Sequence, residues 1–441
     1  MTRKLLVSIC SLMVVLSMAS ATYSAERVEV VFWHFWGGRD RPIVERIVRG
    51  FNRSQKKYHV RAIAMPGSNL DLKFFLSVAG GDPPDLLNHD DPVVGDWAYR
   101  RVLTPLAELA TPDEILQLNE WLFPAARELG TAEGQLYALC NGLDIRALYC
   151  NRTLLSAYKL ELPRTLDDLD TIAETISPTA DKAGRNQIGY LPDPRRLWAW
   201  GVVFGGEFIG PQGSLTADDP KIVAALTWMA GYARRYGPSE VAAFRSGEQA
   251  LTGSAFPLLA NRRYAVVMDG QWRVRDVAEA NNAAAKVGEI ADEIAVVTLP
   301  PPPGGVHDAG WVNGNFFVVP RGAQQKRGAW EFMKYWTGFN GNQAAAAEAC
   351  AAGGWIPPSQ VIVDQTAYQK ALAEQPLLRE FVTLAASPNQ RPVPTLPVSS
   401  YYYQEVIRAA QQVMYRGADP REELRAATER VRHRLREVRD E

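Results

Sequence analysis

The sequence predicts an α/β protein, and three features of the chain point there. Strand-like apolar runs alternate with helical stripes from Val28 onward, glycine and proline pairs separate them, and the first five elements fall within about 60 residues. The 441 residues leave room for two or three domains at roughly 150 residues each. A content of 47% hydrophobic and 22% charged residues is that of a globular chain and excludes disorder, collagen and coiled coil as overall descriptions. The 48 basic residues nearly cancel the 49 acidic ones, so no global field favours nucleic acid or an anionic membrane.

The N-terminus reads as an export signal. Arg3 and Lys4 precede an apolar run from Leu5 to Met18, which is short for a membrane span, and Ala19-Ser20-Ala21 supplies a small-residue cleavage site. Residues 1–21 are therefore expected to be removed, leaving a periplasmic protein. Cys10 is poorly placed for lipid attachment, because Ile9 is not small and the apolar run continues past it. Cys140, Cys150 and Cys350 then remain, an odd number. Cys140 and Cys150 flank the turn-like Asn141-Gly142, so a bridge across a hairpin and a pair of free apolar thiols both fit the spacing.

Val28 to Trp33 has the continuous apolar, β-branched and aromatic character of a buried parallel strand. Pro42 suits the first turn of a helix whose inner face carries Ile43, Ile47, Val48 and Phe51. Tyr58 to Ala64 is a second strand. A helix marked by Leu72, Phe75, Leu76 and Ala79 follows, stopped by Gly80-Gly81 and Pro83-Pro84, and Asp85-Leu86-Leu87 opens a third strand. Ligands of such sheets sit beyond the carboxyl ends of the strands, which directs attention to the loops at His34 and Asn88. Further on, Asp219-Pro220 starts a helix with Val223, Leu226, Met229 and Ala233 inward. Tyr264 to Met268, Glu293 to Leu299 and Trp311 to Val319 read as strands, with the linker Pro300 to Gly305 before the last. Asp419-Pro420 caps a final amphipathic helix with an apolar stripe of Leu424, Ala427, Val431, Leu435 and Val438.

Catalytic signatures are missing. The chain has no H-E-x-x-H, no Cys–His metal spacing, no G-x-S-x-G and no phosphate-binding glycine loop, so neither a metal nor a cofactor is expected. A pair of carboxylates from distant loops leaves no linear motif, which keeps a secreted carbohydrate-active hydrolase open as a rival reading, with Asp90, Asp91 and Asp144 as its acids.

What stands out is 12 tryptophans, several beside glycine or proline. Trp33-His34-Phe35-Trp36 ends the first strand, Trp198 and Trp200 follow Pro192 and Pro194, and Trp272, Trp311 and Trp355 each follow or adjoin a glycine. A flat indole matches the C–H face of a sugar ring, while carboxylates, amides and arginines take its hydroxyls and penalise a ligand that lacks them.

At this point the chain resembles the periplasmic solute-binding proteins of carbohydrate ABC importers, the maltose- and glycerol-phosphate-receptor type, over nearly its whole mature length. The markers are Val31-Phe32-Trp33-His34-Phe35-Trp36, Ala79-Gly80-Gly81-Asp82-Pro83-Pro84-Asp85-Leu86, Leu103-Thr104-Pro105-Leu106, Gly134-Gln135-Leu136-Tyr137-Ala138-Leu139, Ala147-Leu148-Tyr149-Cys150-Asn151, Pro163-Arg164-Thr165-Leu166-Asp167-Asp168-Leu169, Gly205-Gly206 and Gly270-Gln271-Trp272. Their order and spacing are specific where each alone is weak. The chain departs from the family pattern at Cys140, at Cys150 and in the basic Arg195-Arg196.

The resemblance implies a two-lobed fold of the second periplasmic-binding type, joined by hinge strands around a ligand cleft. Residues 22–143 with 302–340 would form one lobe, and residues 144–301 with 341–441 the other. Crossings would fall near Asn141–Ala147, Leu299–Gly305 and Thr337–Gly341. It also implies cleft roles for His34, Trp36, Asp90, Asp91, Asp144, Trp198 or Trp200, Trp272, Trp311, Trp355 and Arg391. The expected activity is capture of a sugar or oligosaccharide by hinge closure and delivery, as a monomer, to an ABC permease in the membrane. An anionic polyol such as a glycerol-phosphate derivative is the second reading, resting on Arg391 with Arg39, Arg195 or Arg196. A ligand-sensing partner of a signalling receptor would use the same cleft.

Overall fold

In the computed structural model the described residues are 27–65, 69–90, 92–177, 187–252 and 256–440. The expected signal sequence, Cys10 and Asp91 lie outside them. Among the described residues no helix is long and apolar enough to cross a membrane.

Two sheets organise the chain. Strands β1 (Val28–His34), β2 (Tyr58–Ala64) and β3 (Leu86–His89) are mutually parallel in the order β2-β1-β3, as the βαβ pattern requires. Helix Arg41–Ser54 covers them with Ile43, Val44, Ile47, Val48 and Phe51. Helix Leu70–Ala79 differs from expectation. It buries Leu70 and Phe74 against Trp97, and leaves Leu72 61% and Leu76 63% exposed. Apolar residues surround this helix on all sides, so its period alone could not choose the inner face.

The first sheet is completed by strands from far along the chain. Strand β4 (Ala138–Asp144) and the strand Asn313–Val318 join in the order β2-β1-β3, then Asn313–Val318, then β4, and both new pairings are antiparallel. Strand β5 (Arg146–Asn151) belongs to the second sheet, between β6 (Val266–Gly270) and β7 (Ile294–Val297), both antiparallel to it. Asn141-Gly142 is therefore no hairpin turn. It lies inside a strand that runs on from one sheet into the other through the single buried residue Ile145. Cys140, Cys150 and Cys350 are all free and buried, and burial pushes each thiol upward.

The other two expected crossings shift. The polyproline linker stays with the second lobe, where the Val306 N–H donates to the Val203 carbonyl at 2.8 Å. The chain reaches the first sheet only at Asn313. The run from Trp311 to Val319 is thus two strands, because Gly310–Trp311 pairs with Gln390–Arg391 instead. Residues after 341 do not leave the first lobe at once: helix Gln343–Gly353 packs on Arg41–Ser54 and Lys326–Thr337. The chain meets the second sheet again at helix Leu377–Ala385, which packs on β7. Packing on Trp36 and Trp336 holds this segment back, a tertiary preference that linker composition does not reveal.

The C-terminal helices Ser399–Arg416 and Pro420–Asp440 close the second lobe and also touch the first. Gly95 is required there, since a Cβ would lie 2.3 Å from the Leu396 carbonyl oxygen. The expected stripe of the last helix is the one buried, and Asp419 caps it by accepting from the Glu422 N–H at 2.9 Å.

Candidate functional site

The junction between the sheets is built around Ile145. β4 ends at Asp144 and β5 begins at Arg146, so the two side chains flanking the crossing leave adjacent sheets at one place. Gln271, just past β6, locks it. Its Oε1 accepts from the Ile145 N–H at 3.0 Å, and its Nε2 donates to the Leu143 carbonyl at 3.0 Å and to Asp144 Oδ1 at 2.9 Å. Burial raises the Asp144 carboxyl pKa, while Arg146 and the Gln271 bond pull it back down. Asp90 joins from the first lobe: its carbonyl accepts from Asn313 Nδ2, and Asn313 pairs with Asp144 across the sheet.

Arg146 is the centre of the second-lobe side. Its guanidinium lies 4.0 Å from the Trp311 ring and 5.4 Å from the Trp272 ring. Arg196 stands 5.9 Å from the same Trp311 ring, and the Tyr403 ring is 5.6 Å away. Sequence reasoning missed Arg146, Gln271 and Asn313. A charged residue at the head of the otherwise apolar run Arg146-Ala147-Leu148-Tyr149-Cys150 was the available signal for the first.

The tryptophans expected at the cleft divide into three groups. Trp272 and Trp311 meet at the junction around Arg146. Trp36 is buried in the first lobe, stacked on Trp336 at 5.2 Å and on Trp355 at 5.6 Å, while Trp355 itself is half-buried. Trp198 and Trp200 are not in a loop: they sit in helix Leu197–Val203, fully enclosed in the second lobe. Trp198 packs on Phe208 at 4.1 Å and Trp200 on Trp228 at 4.6 Å, because that helix is covered by Pro220–Tyr236 and Ser399–Arg416. Both rings are buried rather than open in a loop, and Trp198 also stacks on Tyr403 at 6.1 Å. His34 is likewise buried, between Phe32 and Trp36, and burial first, then Arg41, lowers its pKa to about 4.

Of the arginines expected to hold an anion, Arg196 stands at the junction, while the others are engaged elsewhere. Arg391 is exposed and lies 3.6 Å from Glu128. Arg195 grips Asp193 through Nε and Nη2, which holds the Asp193 carboxyl far below its usual range despite burial.

Arg39 spans the lobes instead. From the loop after β1 it reaches Asp276 at 2.8 Å and Glu279 at 3.1 Å on helix Arg273–Lys286, and it donates to the Trp272 carbonyl at 3.3 Å. Beside it, Asp40 pairs with Arg275 at 2.7 Å, and Arg275 also donates to the Gly353 carbonyl at 3.0 Å. These half-exposed pairs hold the lobes together on one side of the junction, each contributing about 0.2–1 kcal/mol once water screening is allowed for. A double variant, Arg39→Ala with Arg275→Ala, is expected to open the molecule. Small-angle scattering should report a larger radius of gyration than for the parent, and an unchanged radius would mean that the pairs do not restrain the lobes.

Two α/β lobes joined at Ile145, with indoles and charged groups converging there, form the setting in which the comparisons can be read. The sequence matches the family of bacterial extracellular solute-binding proteins over residues 46–375. The chain belongs to that family.

Solved solute-binding structures share the two-lobed fold. An ABC substrate-binding protein from Listeria monocytogenes, in complex with cycloalternan, superposes with a TM-score of 0.75 at 16% identity, covering 93% of this chain and 99% of the other. A mannotriose-bound protein gives 0.74 at 20% identity over 91% of this chain and 99% of its own. The sugar-binding protein MalE from Xanthomonas citri gives 0.72 at 17%, over 93% and 98%. A probable ABC transporter-binding protein of Deinococcus radiodurans is 27% identical over 249 residues. That match spans about half of each chain, 52% of this one and 53% of the relative.

Proposed function

We propose that this solute-binding protein is an exported, periplasmic receptor. It captures a sugar or oligosaccharide between its lobes, releases it chemically unchanged, and delivers it to an ABC permease. The observation that carries the reading is the junction itself. One residue, Ile145, links two sheets, and Asp144, Trp272 and Trp311 gather beside it with the carboxylate and indole groups a saccharide needs. The ligands named for its structural neighbours, mannotriose and cycloalternan among them, agree in kind. Asp90, Asp144, Trp272, Trp311 and Trp355 are the cleft residues we retain. Residues 1–21 act as the signal peptide, and the mature chain works as a monomer.

Closure follows from differential binding: a ligand touching both lobes favours the closed arrangement by the contacts it makes only there. A ligand at 100 times its Kd should stabilise the native state by about 2.7 kcal/mol. For a chain of this size that amounts to a rise in melting temperature of roughly 3 °C. The test is a thermal titration against a broad saccharide panel, with the ligand then recovered for mass spectrometry. A saccharide that shifts the transition and returns intact supports the receptor. No shift from any saccharide, or recovery of a hydrolysed one, overturns it.

A further inference from the structure

Arg146 is a buried cation that feels the charges of Asp144 and Asp269 but has no carboxylate within ion-pair distance among the described residues. Its side chain is 6% exposed, its Nη1 donates to the Asp144 carbonyl at 2.6 Å, and its Nε has no acceptor. Arg196, on the same Trp311 ring, also has an Nε without an acceptor. The neighbouring acids take their hydrogen bonds from other donors. Asp269 accepts from Arg273 Nε at 3.0 Å and from the Gly270 N–H at 2.8 Å, and it lies 3.9 Å from Arg196. Asp193 is held by Arg195, and Asp144 accepts from Gln271. Two guanidiniums therefore share one aromatic wall at the point where the lobes meet. Burial, with Arg196 adding repulsion, brings the Arg146 pKa down to about 10.

A buried charge with an open donor is costly unless a counter-charge arrives. Arginine's planar fork fits a carboxylate or a phosphate through two parallel hydrogen bonds. From this geometry we infer that the ligand is an acidic saccharide, its carboxylate or phosphate held by Arg146 and Arg196 while the half-buried Trp272 takes a sugar face. The inference rests on the saccharide-receptor reading and narrows it. Of the arginines the sequence offered it keeps Arg196, and in place of Arg391 and Arg195, which pair with Glu128 and Asp193, it brings in Arg146.

Matched pairs test it: galactobiose against digalacturonate for a carboxylate, and trehalose against trehalose 6-phosphate for a phosphate, alongside neutral mannotriose and maltotriose. Calorimetry on the mature protein at low salt is expected to give an acidic member binding at least about tenfold more tightly than its neutral partner, with affinity falling as salt rises. Arg146→Gln should bring that ratio close to one. A preference within the galactose pair alone assigns a carboxylate, and within the trehalose pair alone a phosphate. Neutral saccharides binding as well as their acidic partners, or an acidic preference indifferent to salt, overturns the acidic assignment and leaves the receptor standing. The wild-type ratio and its salt dependence decide this even if the variant does not fold. Binding of no saccharide, neutral or acidic, overturns the receptor reading and this inference with it.

Discussion

Replacing Trp336 with alanine is expected to destabilise the fold by about 3–5 kcal/mol, the range for deleting a buried large aromatic ring. Trp336 is buried on helix Lys326–Thr337, where it meets Trp36 at 5.2 Å, Phe317 at 5.2 Å, Phe332 at 5.8 Å and Trp355 at 6.2 Å. Those contacts join the loop after β1, the strand Asn313–Val318 and the segment after helix Gln343–Gly353 into one body. The consequence reaches the junction, because Trp355 precedes Ile356, whose carbonyl accepts from the Leu143 N–H at 2.9 Å beside Asp144. Urea denaturation should therefore give a lower midpoint with an unchanged slope. A loss below about 1 kcal/mol would mean that the three indoles do not pack on one another as described.

Substituting Gln271 by alanine removes the brace of the crossing strand. The Ile145 N–H and the Leu143 carbonyl lose their side-chain partner in a site closed to water, at about 1–3 kcal/mol for each buried group left unsatisfied. Asp144 loses the one side-chain donor that offsets its desolvation apart from the Arg146 charge. Hydrogen exchange reads this directly, since the Ile145 amide should change from protected to fast-exchanging while the centres of both sheets stay protected. Gln271→Glu keeps the acceptor for Ile145 but sets a second carboxylate against Asp144, so it should restore amide protection less than the parent side chain does. An Ile145 amide equally protected in the alanine variant would show that Gln271 does not brace the crossing.

Much of the fold is legible from periodicity because the elements in question bury one face against a single neighbour. The face Ile43, Ile47, Val48 and Phe51, and the stripe from Leu424 to Val438, repeat at the helical period and are buried as read. The helix at Leu70 escapes that logic, since an element apolar all round carries no directional signal. The candidate site residues are legible in type and only partly in place. A glycine before Trp272 or Trp311 marks an indole near the junction, but proline before Trp198 and Trp200 marks only the entry to a buried helix. Arg391, Arg195 and Arg39 look alike as sequence, and each is separated from the others by the acid it meets in space: Glu128, Asp193, and Asp276 with Glu279.

The sequence by itself determined the α/β class, the parallel opening of the first sheet, the caps and the inner faces of the amphipathic helices. These follow from local chemistry and hydrophobic period, which need no knowledge of distant partners. Only the tertiary structure decided where the chain crosses between lobes, which tryptophans lie at the junction, and which arginines keep a buried Nε without an acceptor among the described residues. Those outcomes depend on charges and rings brought together from residues more than a hundred positions apart, and such encounters leave no trace in local spacing.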